Sequence, residues 1–139
     1  MYKIGYTQGV FDMFHIGHLN LINSAKMECE YLIVGVNSDK LVQRYKNKVP
    51  VIGEKDRAII VQNLKAVDKC IIVETLDKEE IYKKYHFDVI FIGDDWKGDP
   101  RWLDTENKMD RHGVKVIYLP YTKTVSSTEL RGEVDNRVN

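Results

Sequence analysis

The chain has 139 residues, of which 43% are hydrophobic, enough for one core and a single domain over residues 1–139. Its 21 basic and 21 acidic side chains cancel, which excludes broad electrostatic capture of nucleic acid or of an anionic membrane and makes any anion site a local one. No stretch approaches the ~20 apolar residues of a membrane span and no apolar leader opens the chain, so a cytoplasmic protein with no membrane insertion is expected, its two cysteines, Cys29 and Cys70, buried as free thiols.

The first apolar run, Lys3 to Tyr6, reads as a strand. It leads through Gln8-Gly9-Val10-Phe11-Asp12-Met13-Phe14-His15-Ile16-Gly17-His18 into a segment where Leu19, Ile22 and Ala25 share one helical face. Two imidazoles three apart at a helix start lie on nearly one face. The first-turn N–H groups and the helix dipole favour negative charge beside them, so this is a candidate phosphate site with added donors. An H-x-x-H pair also suits a metal, or two surface histidines.

Tyr31 to Val36 reads as the second strand, ending at Asn37-Ser38-Asp39. The basic segment Gln43-Arg44-Tyr45-Lys46-Asn47-Lys48 follows and is expected as a mobile loop able to reach over a bound triphosphate, or as a solvated loop. A second helix begins near Glu54, with Ile59, Ile60, Asn63, Leu64 and Val67 on its pattern. Glu54 and Asp56 suit its N-terminus, whereas Arg57 opposes the dipole preference and points to an anionic partner or to an intrahelical ion pair.

Cys70 to Val73 is the third strand, Lys78 to Tyr85 a third helix, and Val89 to Ile92 the fourth strand. The last of these ends in Gly93-Asp94-Asp95-Trp96-Lys97-Gly98, a candidate substrate-facing loop. Its carboxylates can accept hydrogen bonds from polyol hydroxyls, and Trp96 can pack against an acceptor or a quaternary amine, or serve packing alone. After a fifth strand, Val116 to Leu119, Ser126 and Glu129 have capping-box spacing. A helix start there would offer free N–H groups and the hydroxyls of Ser126, Ser127 and Thr128 to phosphates. Apolar strands alternating with helical crossovers predict an α/β fold, a Rossmann-like doubly wound parallel sheet of five strands with ligands beyond their carboxyl ends.

His15-Ile16-Gly17-His18, with its lead-in Gly9-Val10-Phe11-Asp12, resembles the HxGH signature of the nucleotidyltransferase superfamily. Gly93 to Gly98 resembles the G-D-D-W-x-G form of the glycerol-3-phosphate cytidylyltransferases, which favours CTP over ATP. The likeness runs from Lys3 to Leu130. It implies that His15 and His18 contact the nucleotide phosphates and that Lys46, in Tyr45-Lys46-Asn47, stabilises the pentavalent transition state. By the same likeness Gln8, Gly9, Val10, Phe11, Asp12, Gly17, Asp94, Ser126, Ser127 and Thr128 bind nucleotide, and Asp39, Arg57, Lys65, Asp95 and Trp96 serve the acceptor.

Two blocks depart from the family. Lys65 stands where an arginine precedes the Val67-Asp68 pair, which loses the planar fork suited to phosphate. In the last signature Tyr121 replaces an arginine and Thr124 a glycine, with Lys123 two positions from the lost charge. The implied reaction is Mg²⁺-dependent transfer of CMP from CTP to a small phosphorylated alcohol, with glycerol 3-phosphate favoured and phosphocholine, phosphoethanolamine or a hydroxyalkyl phosphonate open. The acceptor oxygen is already ionised, so catalysis reduces to alignment and charge neutralisation. Mg²⁺ would sit mainly on substrate phosphates, with Asp12 either placing it or fixing the first imidazole. Relatives imply a homodimer, to which Val67 to Val73 could contribute. The competing readings are adenylyl transfer to a sugar phosphate or flavin, and a non-catalytic nucleotide-binding module.

Overall fold

The structure, a computed structural model, describes residues 1–121. Five strands, β1 (Tyr2–Gly9), β2 (Cys29–Asn37), β3 (Lys69–Val73), β4 (Val89–Gly93) and β5 (Lys115–Leu119), form one sheet in the order β3-β2-β1-β4-β5. Every pairing is parallel. The helices are α1 (Ile16–Met27), α2 (Asp39–Lys46), α3 (Glu54–Gln62), α4 (Lys78–Tyr85) and α5 (Pro100–Asp110), and a 3₁₀ turn spans Asp94–Trp96. This is the doubly wound Rossmann-like sheet that the sequence predicts. Its strand order reverses between β1 and β4, which opens a crevice at the carboxyl ends of these two strands.

Alternation along each strand fills both faces. Leu32, Val34 and Val36 of β2 and Val89 and Phe91 of β4 join Ile22, Ala25 and Val61 in one core cluster. Ile33, Ile90 and Tyr6 point the other way and join Ile81, Phe87 and Met109. Helix starts are capped by local side chains: Ser38 Oγ accepts from Leu41 N at 3.1 Å, Asp77 Oδ1 from Glu79 N at 3.0 Å and Asp99 Oδ1 from Arg101 N at 2.9 Å. Because α1, α2 and α4 each directly follow a parallel strand, and α5 follows β4 after one turn, these helices start at the crevice end of the sheet. Among the described residues no helix is long and apolar enough to cross a membrane.

Two sequence expectations change. The basic segment is not a loop as far as Lys46: Ser38 caps a helix that ends there, and Asn47 closes it in the left-handed region at φ 54°. The second long helix stops at Gln62, where the Asn63 side chain donates to Ile59 O at 2.8 Å. Leu64 and Val67 still pack on the core from the turn beyond it, so the periodicity registered their burial but not their backbone.

Gly35 of β2 faces a crowded point. An added Cβ would collide with the Tyr6 hydroxyl, and the Tyr6 ring is stacked on Phe87 at 4.8 Å between centroids. Gly35→Ala is therefore expected to destabilise the fold by about 1–3 kcal/mol through overpacking, read as a lower midpoint with unchanged slope in urea unfolding.

Candidate functional site

The loop between β1 and α1 is held in an uncommon shape. Phe11 and Met13 both adopt left-handed backbone, φ 54° and 48°, which non-glycine residues hold only when surroundings fix them. Two devices do so here. The Phe11 ring is buried in the core and meets His18 edge-on at 5.5 Å. Asp12 is also buried, and its Oδ2 and Oδ1 accept from the N–H groups of Val51 and Ile52 at 2.8 and 2.9 Å. The carboxylate thereby ties the segment before α3 to the loop after β1.

The two histidines form the cap of α1. His15 is the N-cap, its Nδ1 accepting from Gly17 N at 3.0 Å, while His18 Nδ1 accepts from His15 N at 3.2 Å. This is a capping box written in imidazoles. The rings stack at 4.0 Å between centroids. With Nδ1 of each ring accepting, the neutral ring carries its hydrogen on Nε2. Burial, then the neighbouring His15 charge, pushes the His18 pKa down to about 4, against a smaller opposing effect of Asp12. His18 at neutral pH is thus an uncharged N–H donor at a helix N-terminus.

Arg57, expected at the acceptor, is instead fully buried under the site. Its Nε donates to Ile52 O at 2.7 Å, Nη1 to Val10 O and Asn37 O at 2.8 Å each, and Nη2 to Asp39 Oδ1 at 2.6 Å. Asp39, likewise expected at the acceptor, is committed to this guanidinium and to a reciprocal exchange with Glu54, whose Oε1 accepts from Asp39 N at 3.0 Å. Lys65 is a third correction. It is exposed in the turn after α3, just ahead of β3, and so lies at the amino ends of the strands, away from the crevice. Distant carbonyls, not phosphates, decide where Arg57 points.

The crevice holds a cavity of about 440 Å³. Gln8, Gly9, Val10, Phe11, Asp12, His18, Lys46, Asp95 and Trp96, nine of the residues singled out in the sequence, line it. Gly17 is buried in the first turn of α1 and Asp94 turns aside, its Oδ1 accepting from Tyr121 N at 3.3 Å. Ser126, Ser127 and Thr128, with Lys123 and Thr124, lie outside the described residues. Gln8 belongs to a buried chain of hydrogen bonds. Tyr6 Oη donates to Gln8 Oε1 at 2.6 Å, Gln8 Nε2 to Asn37 Oδ1 at 2.8 Å and Thr75 O at 3.1 Å, and Asn37 Nδ2 to Tyr45 Oη at 3.0 Å. The chain fixes Tyr45 as a wall of the cavity.

Sequence reasoning missed the far end of that wall. Lys78, in the first turn of α4, is buried and donates from Nζ to Leu76 O at 2.9 Å, with its ammonium 5.1 Å from the Trp102 ring centroid. Burial, then the Arg101 charge, lowers its pKa to about 8, with Asp77 opposing. Arg101 and Trp102 follow Pro100 into the first turn of α5 and line the same cavity. Two signals were present: Asp77 and Asp99-Pro100 read as helix starts directly after strands, and first-turn residues there face the crevice. Electrostatically the cavity has two ends. Lys46, its pKa lowered by burial, is influenced by Lys48 and Asp12, whereas Lys78 is influenced by Arg101 and Asp77. Such a cavity can hold two anionic molecules side by side.

Residues 6–133 match the sequence profile of the family described as cytidylyltransferase-like. The chain is 32% identical over 134 residues to the bifunctional protein HldE of Caulobacter sp. (strain K31), covering 96% of this chain and 27% of that protein, so it spans about a quarter of that relative's length. It is 30% identical over 129 residues to the glycerol-3-phosphate cytidylyltransferase of Bacillus subtilis (strain 168), covering 92% of this chain and 94% of that protein. The crystal structure of the lipopolysaccharide core biosynthesis protein from Thermoplasma volcanium GSS1 superimposes with a TM-score of 0.72 at 28% identity, over 88% of this chain and 98% of that one.

The His18 environment carries a pH signature. Its folded pKa of about 4 lies below the ordinary 6.5, so between these values the unfolded chain binds more protons. Stability is full above pH 6.5 and falls on acidification towards pH 4, by up to about 3 kcal/mol. Urea unfolding across that range is expected to show a shallower pH dependence for His18→Gln than for the wild type.

Proposed function

The chain belongs to the cytidylyltransferase-like family of nucleotidyltransferases, and on that premise we propose that it transfers CMP from CTP to a small phosphorylated alcohol, with glycerol 3-phosphate the favoured acceptor. Pyrophosphate leaves and a CDP-alcohol forms. The observation that carries this reading is one cavity lined by two separate cationic groups, Lys46, which like His18 feels the Asp12 carboxylate, and Lys78, which feels Arg101. A triphosphate placed along the start of α1 meets the first-turn N–H groups, the His18 Nε2–H and the Lys46 ammonium. An acceptor phosphate at Lys78 and Arg101 then faces the α-phosphorus from the other side.

In the proposed step an ionised acceptor oxygen forms a bond to the α-phosphorus as the bond to the β-phosphate bridging oxygen breaks, and the electron pair leaves with pyrophosphate. No proton needs to be removed, so the protein's part is alignment and neutralisation of charge on the phosphate oxygens. His18 supplies a neutral donor and Lys46 a full charge, both at the end where the leaving group develops. The preference for CTP rests on the Gly93 to Gly98 sequence. Among the described residues no group of three or more His, Cys, Asp or Glu could hold a metal ion. In the proposed reaction Mg²⁺ would be carried mainly on the substrate phosphates, where it would neutralise charge, with Asp12 a carboxylate in the lining of the cavity. A homodimer belongs to the same reading, supported by the exposed apolar side chains Ile59, Ile60 and Ile72.

Pyrophosphate release with Mg²⁺ and either CTP or ATP, across glycerol 3-phosphate and other phosphorylated alcohols, tests the proposal. Release is expected with CTP and glycerol 3-phosphate, and release with ATP alone overturns the nucleotide assignment. Lys46→Met and His18→Ala, each first checked for a native circular dichroism spectrum, are expected to lower kcat by about 10²–10³-fold, the scale seen when one stabiliser of transition-state charge is removed.

A further inference from the structure

The acceptor end of the cavity has a composition that discriminates between tails. Three aromatic rings, Tyr45, Trp96 and Trp102, line it, which by itself resembles a cage for a quaternary ammonium. All three rings already have one of the protein's own cations against them, Lys46 Nζ lying 5.7 Å from the Tyr45 ring centroid. Lys78 Nζ lies 5.1 Å from the Trp102 ring centroid, and Arg101 Cζ lies 5.4 Å from that of Trp96. Lys78 is only 8% exposed and is held by its hydrogen bond to Leu76 O, which keeps its ammonium against the Trp102 ring. Arg101 is a looser cover, its side chain 63% exposed and its Nε 3.6 Å from Asp99 Oδ1.

Resting on the reaction proposed above, we propose that the acceptor is a polyol phosphate with a neutral, hydroxylated tail, and that Lys78 and Arg101 exclude phosphorylated quaternary amines by occupying the indole faces and setting like charge beside them. A trimethylammonium group donates no hydrogen bond and depends on open aromatic faces. Hydroxyls instead find an acceptor in Asp95, the carboxylate that lines this end of the cavity, and a partner in Thr105, whose Oγ1 donates to Arg101 O at 2.9 Å. The phosphate common to both kinds of acceptor is welcomed equally by the two cations, so the discrimination lies in the tail alone.

The test compares glycerol 3-phosphate with phosphocholine on wild type and Arg101→Gln, by pyrophosphate release with CTP and Mg²⁺ and, separately, by calorimetric binding of each acceptor to the protein saturated with CTP and Ca²⁺ in place of Mg²⁺. The wild type is expected to favour glycerol 3-phosphate by at least about tenfold in kcat/KM and in Kd, and Arg101→Gln to shrink that ratio several-fold, since the lost phosphate contact falls on both acceptors and the relief of like charge on phosphocholine alone. Lys78→Gln, checked for native circular dichroism, is expected to move the ratio the same way. Equal or better use of phosphocholine by the wild type overturns the inference, as does a ratio unmoved by both variants. If pyrophosphate is released with neither acceptor, the reaction proposal falls while the binding ratio still decides this one.

Discussion

The Arg57 guanidinium is the interaction on which the rest of the site depends. A fully buried charge is tolerated only when its donors are met, and here three backbone carbonyls and the Asp39 carboxylate meet them. The carbonyls come from the loop after β1, the end of β2 and the segment before α3, so one side chain fixes the relative position of three chain segments that are distant in sequence. Asp12 adds a second tie between the first and third of these through the N–H groups of Val51 and Ile52. The loop that leads into α1 and the segment that leads into α3 both hang from this frame.

Rigidity of that kind is what charge-neutralising chemistry requires. Donors aimed at a developing charge help most when they need not reorganise as it appears. The left-handed Phe11 and Met13, the imidazole cap of α1 and the buried chain from Tyr6 through Gln8 and Asn37 to Tyr45 all fix groups before any ligand arrives. The capping role also explains the spacing of the histidines. With two residues between them, His15 accepts from Gly17 N and His18 from His15 N, so the two rings together satisfy orphan N–H groups at the helix start.

What could be read from the sequence was what neighbours in the chain decide. The five strands and their alternation with helices, the start of α3 and the pairing of His15 with His18 are local patterns, and they were legible. Helix α2 was not, because only Leu41 and Val42 of its eight residues are buried and its basic side chains mimic a solvated loop. Arg57 and Asp39 were misplaced for a different reason: the guanidinium turns inward onto carbonyls 20 and 47 residues away and the carboxylate pairs with it, while Lys65 falls in the turn because α3 ends before it. Lys78 and Trp102 meet only after two crossovers bring α4 and α5 together, and no spacing rule couples them.

The division of the cavity between crossovers has an evolutionary consequence. The frame built around Arg57 and Asp12 involves the loop after β1, the end of β2, α2 and α3, while Lys78, Arg101 and Trp102 sit on the first turns of α4 and α5 across the sheet. Substitutions at the second set leave every hydrogen bond of the first intact. For the proposed reaction, selection could therefore retune the acceptor through these first turns as an interchangeable cassette, and a library confined to them would leave the frame around Arg57 undisturbed.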